Sequence, residues 1–597
     1  MITNPSGRLG RRGFLRGTAA LAGAAGIVAG IGACAPRDGG SGGSSDAGGA
    51  PAGEANPDGH IDAAISYELG TNGYDPMTTS AALTVAVNWH TLEGLTELHP
   101  VTREVYAALA TEVPATDGTS VDVALREGAV FHDGTPVTPE DVVFSFERVQ
   151  DPANASLYAQ FIPFVESVEK KDDTTVTITL AHPTAVLAER FSTVKIVPKA
   201  AVEADPDAFD SNPVGSGPWK MTDNSAASKV VEFERFDDYT GPMPATAKTM
   251  SWQFIPDPST RTNALQSQTV QAIDSVPFLS IDQLKASGEV ESVGGFGLLF
   301  AMFNNAEDNP FHDVKNRQAF LYAIDMDKVI ETVLSGQAEA ASCFVQKEHP
   351  NYKEASTVYS LDAEKAKSLF AETVLTSFRM LCTDHDWVAQ CTPIIQESLA
   401  AAGVEVAFEQ KQSADVYTTI DGKPDAYDVV IAPGDPSVFG NDPDLLMRWW
   451  YGGDVWTDTR MHWKGQESYE EVQSLLAEGL ETTDTAAQEA TWGELFDLLS
   501  EEVPLYPLFH RKAPTAWDSS TLVDFQPISL AGLSFVDVGT TQAPDRCVGA
   551  CRTCGSPSPP PTATSTSSTG SPSGCVLARP WAWSASPAPA SPWPASR

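Results

Sequence analysis

The side chains best placed to do chemistry gather between Val429 and Trp456, in VVIAPGDPSVFGNDPDLLMRWWYGGDVW. Asp428 to Ala432 reads as a buried strand, and Asp435, Asp442 and Asp444 lie in the loop that leaves its end. An ammonium enclosed in a cleft loses its hydration and must be met by a carboxylate through charge-assisted hydrogen bonds, so such aspartates suit a cationic group. Trp449, Trp450 and Trp456 can wall the same cation or pack into the core. Asp442 has a second use, because Asp-Pro is a good helix N-cap followed by a good first helical residue.

Covalent catalysis finds no comparable constellation. Gly215-Ser216-Gly217 lacks the extra residue on each side that a GxSxG nucleophile elbow needs, and reads as a turn into a strand at Trp219. Ser192 to Lys195 matches SxxK with no KTG after it. Neither HExxH nor GxxxxGK[ST] occurs, and the ten histidines never fall at metal-ligand spacing, so no enzyme, metal or cofactor is expected. A formal net charge of -41 argues against nucleic acid and acidic ligands, while a cationic or zwitterionic ligand would be steered inward. Cys382 and Cys391 bracket a loop, CTDHDWVAQC, that a disulfide would stiffen by about 2–3 kcal/mol. The bridge is the expectation, two buried thiols the alternative, and Cys343 stays unpaired in the body either way.

Positioning these groups takes more than one core, since 597 residues with 42% hydrophobic content imply two or more domains. Val121, Val123 and Leu125 alternate along a strand from Thr119 to Arg126, and Phe131-His132-Asp133-Gly134 makes a tight turn. Thr138 then caps a helix with Pro139 first and Asp141 three residues after the cap, burying Val142, Val143 and Phe146 until Asp151-Pro152 stops it. Ser251 to Pro277 reads as strand, helix, strand, and Asp313 to Leu334 as a helix pair. Thr376 to Thr383 is a strand, Thr392-Pro393 starts a helix that ends at Gly403, and Glu467 to Leu499 is helical.

LREGAVFHDGTPVTPEDVVFSFER (Leu125 to Arg148) resembles the signature of the family 5 extracellular solute-binding proteins, the dipeptide- and oligopeptide-type receptors of ABC importers. NPVGSGPW (Asn212 to Trp219) and FNNAEDNPFHDVKNRQAFLYAIDMDKVI (Phe303 to Ile330) match further family segments in the same order. The resemblance covers roughly Gly59 to Val538 and implies a two-lobed α/β fold of the periplasmic-binding-protein type, class II, with an extra subdomain in the first lobe. The expected division is lobe I over 59–297 with the subdomain at about 82–211, lobe II over 298–503, and a return to lobe I over 504–542. It also implies a monomer that closes its hinge on a peptide or related small molecule and delivers it to an ABC permease, with a metal-chelate or oligosaccharide receptor, or a secreted hydrolase, as alternatives.

The "DP" and "DPD" elements resemble the segment whose aspartate pairs with a peptide's terminal ammonium. Their spacing departs from the usual version; Asp435 is favoured over Asp442, with Asp444 beside them. The same resemblance points to Tyr74, in the first loop after the first strand, and to Asn304, His385 and Trp387 as ligand contacts. In related receptors the loop that holds His385 supplies a basic residue to the peptide's carboxylate; here it carries Asp384, His385 and Asp386 and neither Lys nor Arg, which weighs against a free C-terminus.

The two ends of the chain read as address and appendix. Arg11-Arg12-Gly13-Phe14-Leu15 is a twin-arginine pattern ahead of a short apolar run, and Ile31-Gly32-Ala33-Cys34 resembles a lipobox whose cysteine becomes lipid-modified. The expected order is a signal over 1–33 and a Gly/Ser/Ala-rich tether over 34–58, which would hold the protein on the outer face of the cell membrane. Residues 543–597 hold one acid, Asp545, against four arginines, and are expected to be a Pro/Ser-rich tail, disordered or produced by a shifted reading frame.

Overall fold

A computed structural model describes residues 53–66, 73–224, 228–530 and 532–543. The signal, Cys34, most of the tether and the tail from Pro544 lie outside the described residues. Among those described, no helix is long and apolar enough to cross a membrane.

The signature folds as its residues dictate. Ser120–Ala124 pairs with Thr175–Leu180, which pairs in turn with Val165–Lys170, and Gly134 takes φ 84° at the turn. Helix Pro139–Gln150 opens on a complete capping box: Thr138 accepts from the backbone N–H of Asp141, and the Asp141 carboxylate accepts from that of Thr138. Val142 and Phe146 are fully buried beneath it, while Val143 packs at the margin. The turn also anchors the second family segment. His132 lies between two glycines, its Nδ1 accepting from the Gly215 N–H at 3.3 Å and its Nε2–H donating to the Gly217 carbonyl at 2.9 Å. A Cβ on Gly215 would sit 1.9 Å from the Thr91 carbonyl oxygen, so these glycines exist for close backbone approach and not for catalysis.

One mixed sheet of eleven strands runs through both lobes. On one side His60–Ile65 pairs in parallel with Thr249–Phe254 and with Ala272–Ile273, the strand–helix–strand pattern expected around Pro258–Gln266. On the other, Ser377–Thr383 pairs in parallel with Glu405–Lys411 and Val429–Gly434. Two long antiparallel strands, Glu289–Phe303 and Leu505–Trp517, belong to both halves. Their near ends pair at Glu289 to Gly294 with Lys512 to Trp517, register shifts after Gly294, and pairing resumes from Leu298 with His510. The Gly294-Gly295-Phe296-Gly297 interruption is therefore a bulge where the chain passes from one half to the other.

Three expectations are corrected. The Cys382–Cys391 segment is not a bridged loop: both thiols are free and fully buried, Cys382 on its strand and Cys391 inside helix Asp386–Ala401 with Sγ donating to the Trp387 carbonyl at 3.2 Å. Burial pushes both thiols up to about 12. That helix begins well before Thr392, with Pro393 in its interior. The Ala389 carbonyl, which an N–H at position 393 would have engaged, instead accepts from the Thr392 hydroxyl at 2.9 Å. Lastly, Glu467 to Leu499 is two helices, Glu467–Glu481 and Thr485–Glu502, the second capped by the Asp484 side chain.

Candidate functional site

Strand Val429–Gly434 ends at the meeting of the second lobe with the inserted subdomain, and the loop after it forms one wall of the junction. Here a pocket of ≈ 530 Å³, counted with its open mouth, is lined by Trp89, Arg103, Tyr158, Lys195 and Phe439 among others. Asn88 turns its Oδ1 into this buried lining without a hydrogen-bond partner. Glu97 is held by Lys195 at 2.5 and 2.6 Å; burial raises its carboxyl, against the pull of that ammonium.

Asp435 is half-buried at the strand end, where its carboxylate accepts from the Ser437 hydroxyl. The Arg103 guanidinium donates to the Ser437 carbonyl; burial lowers its affinity for the proton, and Glu189 and Asp435 oppose that. A second, more polar pocket of ≈ 570 Å³ continues past Arg103, between Glu189 of the subdomain and His349, Asn441 and Gln488 of the second lobe. Trp449 is half-buried over the same junction, stacked on Phe161 at 6.0 Å and 25° and close to Phe439 at 5.0 Å.

Asp442 and Asp444 do something else. Arg190, fully buried, donates to Asp442 through Nε at 2.8 Å and Nη2 at 2.7 Å, to Asp444 through Nη2 at 2.6 Å, and to the Phe161 carbonyl at 2.8 Å. Arg448 holds Asp444 from the other side at 2.9 and 2.7 Å. Burial disfavours the Asp444 charge, yet the two guanidiniums outweigh it and keep its carboxyl below the usual range. Asp442 also caps helix Pro443–Tyr451 through the Leu445 N–H at 3.0 Å. Both carboxylates are thus already matched within the protein, although Asp442 also lines the second pocket.

The remaining expected contacts divide in the same way. Tyr74 is buried in the first-lobe core with its hydroxyl on the Asn224 carbonyl at 3.0 Å, while its own carbonyl accepts from the pocket-lining Asn88 at 3.0 Å. Asn304 is fully buried and spends its amide on the Pro424 and Tyr427 carbonyls at 2.6 and 2.9 Å. Trp450 is enclosed by Phe296, Phe300 and Phe344, and Trp456 carries the protein's own Arg460 at 4.4 Å, so both serve the core. His385 and Trp387 are half-buried at the start of helix Asp386–Ala401, His385 with its proton affinity lowered by burial, Trp387 beside Phe509. The sequence singles out none of Arg103, Glu189 and Arg190, since LAERFSTV mixes charged and hydroxyl residues with apolar ones and gives no local sign of a buried arginine.

Among the described residues no cluster of His, Cys, Asp or Glu could hold a metal ion. The family model "Bacterial extracellular solute-binding proteins, family 5 Middle" matches residues 104–469. The Escherichia coli (strain K12) glutathione-binding protein GsiB is 24% identical over 475 residues, covering 78% of this chain and 91% of its own. The periplasmic binding protein DppA from Helicobacter pylori, in complex with peptide STSA, superposes with TM-score 0.70 at 21% identity, over 81% of this chain and 98% of that one. A dipeptide-binding protein from Pseudoalteromonas sp. SM9913, in complex with Met-Leu, gives TM-score 0.70 at 20% identity, over 81% and 100%. The match spans well over half the sequence and both lobes of the fold: the chain belongs to the bacterial extracellular solute-binding proteins of family 5.

Proposed function

We propose that the protein captures a peptide or related small zwitterion at the junction of its lobes and hands it unaltered to an ABC permease from the outer face of the cell membrane, where Cys34 anchors it as a lipoprotein. The observation that carries this reading is the loop that leaves the end of strand Val429–Gly434: its Val438 and Phe439 line a pocket with Trp89, Arg103 and Tyr158, and its half-buried Asp435 acts on the Arg103 guanidinium of that lining. Peptide ligands are supported by those of similar proteins: glutathione, the peptide STSA and Met-Leu. The lobes would divide near residues 297–298 on the outgoing strand and, on the returning strand, opposite that bulge between His510 and Lys512. Closure about them selects the liganded state, because only a molecule touching both halves binds the closed form better.

Native mass spectrometry of protein purified from its own host identifies what it carries. A peptide mass is the expected result; a sugar or a metal chelate would redirect the ligand class, and a bound compound converted to product would end the receptor reading. Asp435→Asn is expected to weaken binding of a free-amine ligand by roughly ten- to a hundredfold, since it removes one charge of a desolvated pair. Unchanged affinity by calorimetry removes Asp435 from the site.

A further inference from the structure

One wall of the second pocket is a continuous chain of hydrogen bonds. His349, buried, donates through Nε2–H to the Asn441 carbonyl at 2.8 Å and accepts at Nδ1 from the Asn351 N–H at 3.1 Å. Burial lowers its affinity for the proton, which keeps the neutral tautomer that this arrangement needs. Asn441 carries the chain across to the subdomain: its N–H and that of Asp442 both donate to Glu189 Oε1, the latter at 3.1 Å. The backbones of Asn351 and Asn441 are thereby fixed on either side of one imidazole, around a pocket of ≈ 570 Å³.

These bonds leave polar side-chain groups over. Among the described residues, the Asn351 and Asn441 carboxamides and Glu189 Oε2 have no hydrogen-bond partner, and Arg103 uses only Nη2, on the Ser437 carbonyl. Gln488 has given its amide N–H groups to the Gly479 and Thr482 carbonyls at 2.8 and 3.1 Å, so it offers the pocket an acceptor alone. Trp492 and Pro350 add apolar surface beside them. Asp442 also lines the pocket, but Arg190 already matches its charge. What remains is one guanidinium, Arg103, and one carboxylate, Glu189, each acting on the other's proton affinity. An entering ion gains from one and loses to the other while giving up its hydration. A neutral carboxamide or hydroxyl gives up far less and can serve donors and acceptors together.

We propose that the second pocket is the subsite for a neutral, hydrogen-bonding side chain of the captured peptide, a carboxamide or a hydroxyl, and that it discriminates against charged side chains of either sign. The assignment rests on the peptide reading above and names the kind of peptide.

The test is calorimetric titration of the full-length protein, stripped of carried ligand, with dipeptides Ala-X and X-Ala in which X is Gln, Ser, Glu, Lys or Leu. In the better of the two orders, Gln or Ser is expected to bind about tenfold or more tightly than Glu, Lys and Leu. Gln ahead of Ser identifies the carboxamide as the preferred group, Ser ahead of Gln the hydroxyl. Asn441→Ala leaves the backbone bonds to His349 and Glu189 in place and should reduce that preference to about threefold or less. Glu189→Gln keeps an acceptor for the Asn441 and Asp442 N–H groups and removes the charge, so affinity for the Glu dipeptide should rise by about tenfold. Circular dichroism melting establishes that each variant is folded; where one is not, the wild-type series and the other variant decide. Equal affinity for every X in wild type, Glu, Lys or Leu bound as tightly as Gln and Ser, or a selectivity unchanged in both variants overturns the subsite and leaves the peptide reading standing. Binding of none of the dipeptides overturns the peptide reading and the subsite with it.

Discussion

Arg190 divides one guanidinium between two carboxylates in a setting where none of the three side chains has appreciable access to water. Such a cluster is costly to assemble and more costly to break, because removing one partner leaves an unmatched charge in low dielectric. Arg190→Met is therefore expected to destabilise the protein by about 3–5 kcal/mol, read as a lowered unfolding midpoint in urea. Asp442→Asn keeps a competent N-cap for helix Pro443–Tyr451 and loses only the charge. It should lower the midpoint while leaving ligand affinity within about twofold of wild type, as expected where Arg190 already matches the carboxylate. Asp435→Asn should do the reverse. The two aspartates stand seven positions apart in one loop, and a single pair of measurements separates the structural carboxylate from the binding one; equal effects on affinity would collapse the distinction.

Helix Asp386–Ala401 shows at the level of an element why local rules succeed or fail. Pro393 has no N–H, and the Thr392 hydroxyl takes over its duty to the Ala389 carbonyl. Thr392→Val, nearly equal in volume and buried like the original, is expected to cost about 1–3 kcal/mol and Thr392→Ser little, measured as melting temperatures. Equal melting of all three forms would show that the carbonyl finds another donor. Reading Thr392-Pro393 as a helix start follows a sound rule, since proline is favoured at the first helical position. It fails because the rule cannot register a side chain standing in for the lost donor. Thr138-Pro139 obeys the same rule successfully: its capping box closes within four residues and needs nothing from the rest of the chain. The order of strands and the family blocks were legible for similar reasons of locality. Arg190 with Asp442 and Arg511 with Trp387 were not, because residues 252 and 124 positions apart meet only through the completed sheet.

Across the whole molecule, the excess of acid hides buried histidines that shape its response to pH, His90 and His132 among them. His90 keeps Nδ1 on the Ala86 carbonyl at 2.7 Å while Nε2 accepts from the Phe535 N–H at 2.9 Å. His132 is fixed as a neutral tautomer by Gly215 and Gly217 in the same manner. Burial lowers both from 6.5 to about 4. Between those values the unfolded chain takes up a proton at each of these histidines that the folded chain refuses, so folded-state stability is intact above about pH 6.5 and is lost as pH falls toward 4, by up to about 1.4 kcal/mol per pH unit for each histidine. Asp444, whose carboxyl is depressed, contributes stability above the unfolded carboxylate pKa and loses it as pH falls through its lower folded value, reinforcing the trend at the acid end. Glu97, Glu189 and Asp274 act in the opposite sense, because burial raises their carboxyls and acid relieves their charge. His99, His349, His385, His462 and His510 are lowered by burial in the same direction, so the histidines share the loss on acidification below about pH 6.5. Urea midpoints are expected to be flat from pH 8 to 7 and to decline from about pH 6.5. His132→Gln, which can still donate and accept through its amide, should decline less steeply than wild type between pH 6.5 and 5. A variant that keeps the full slope would place the proton uptake on groups other than this imidazole.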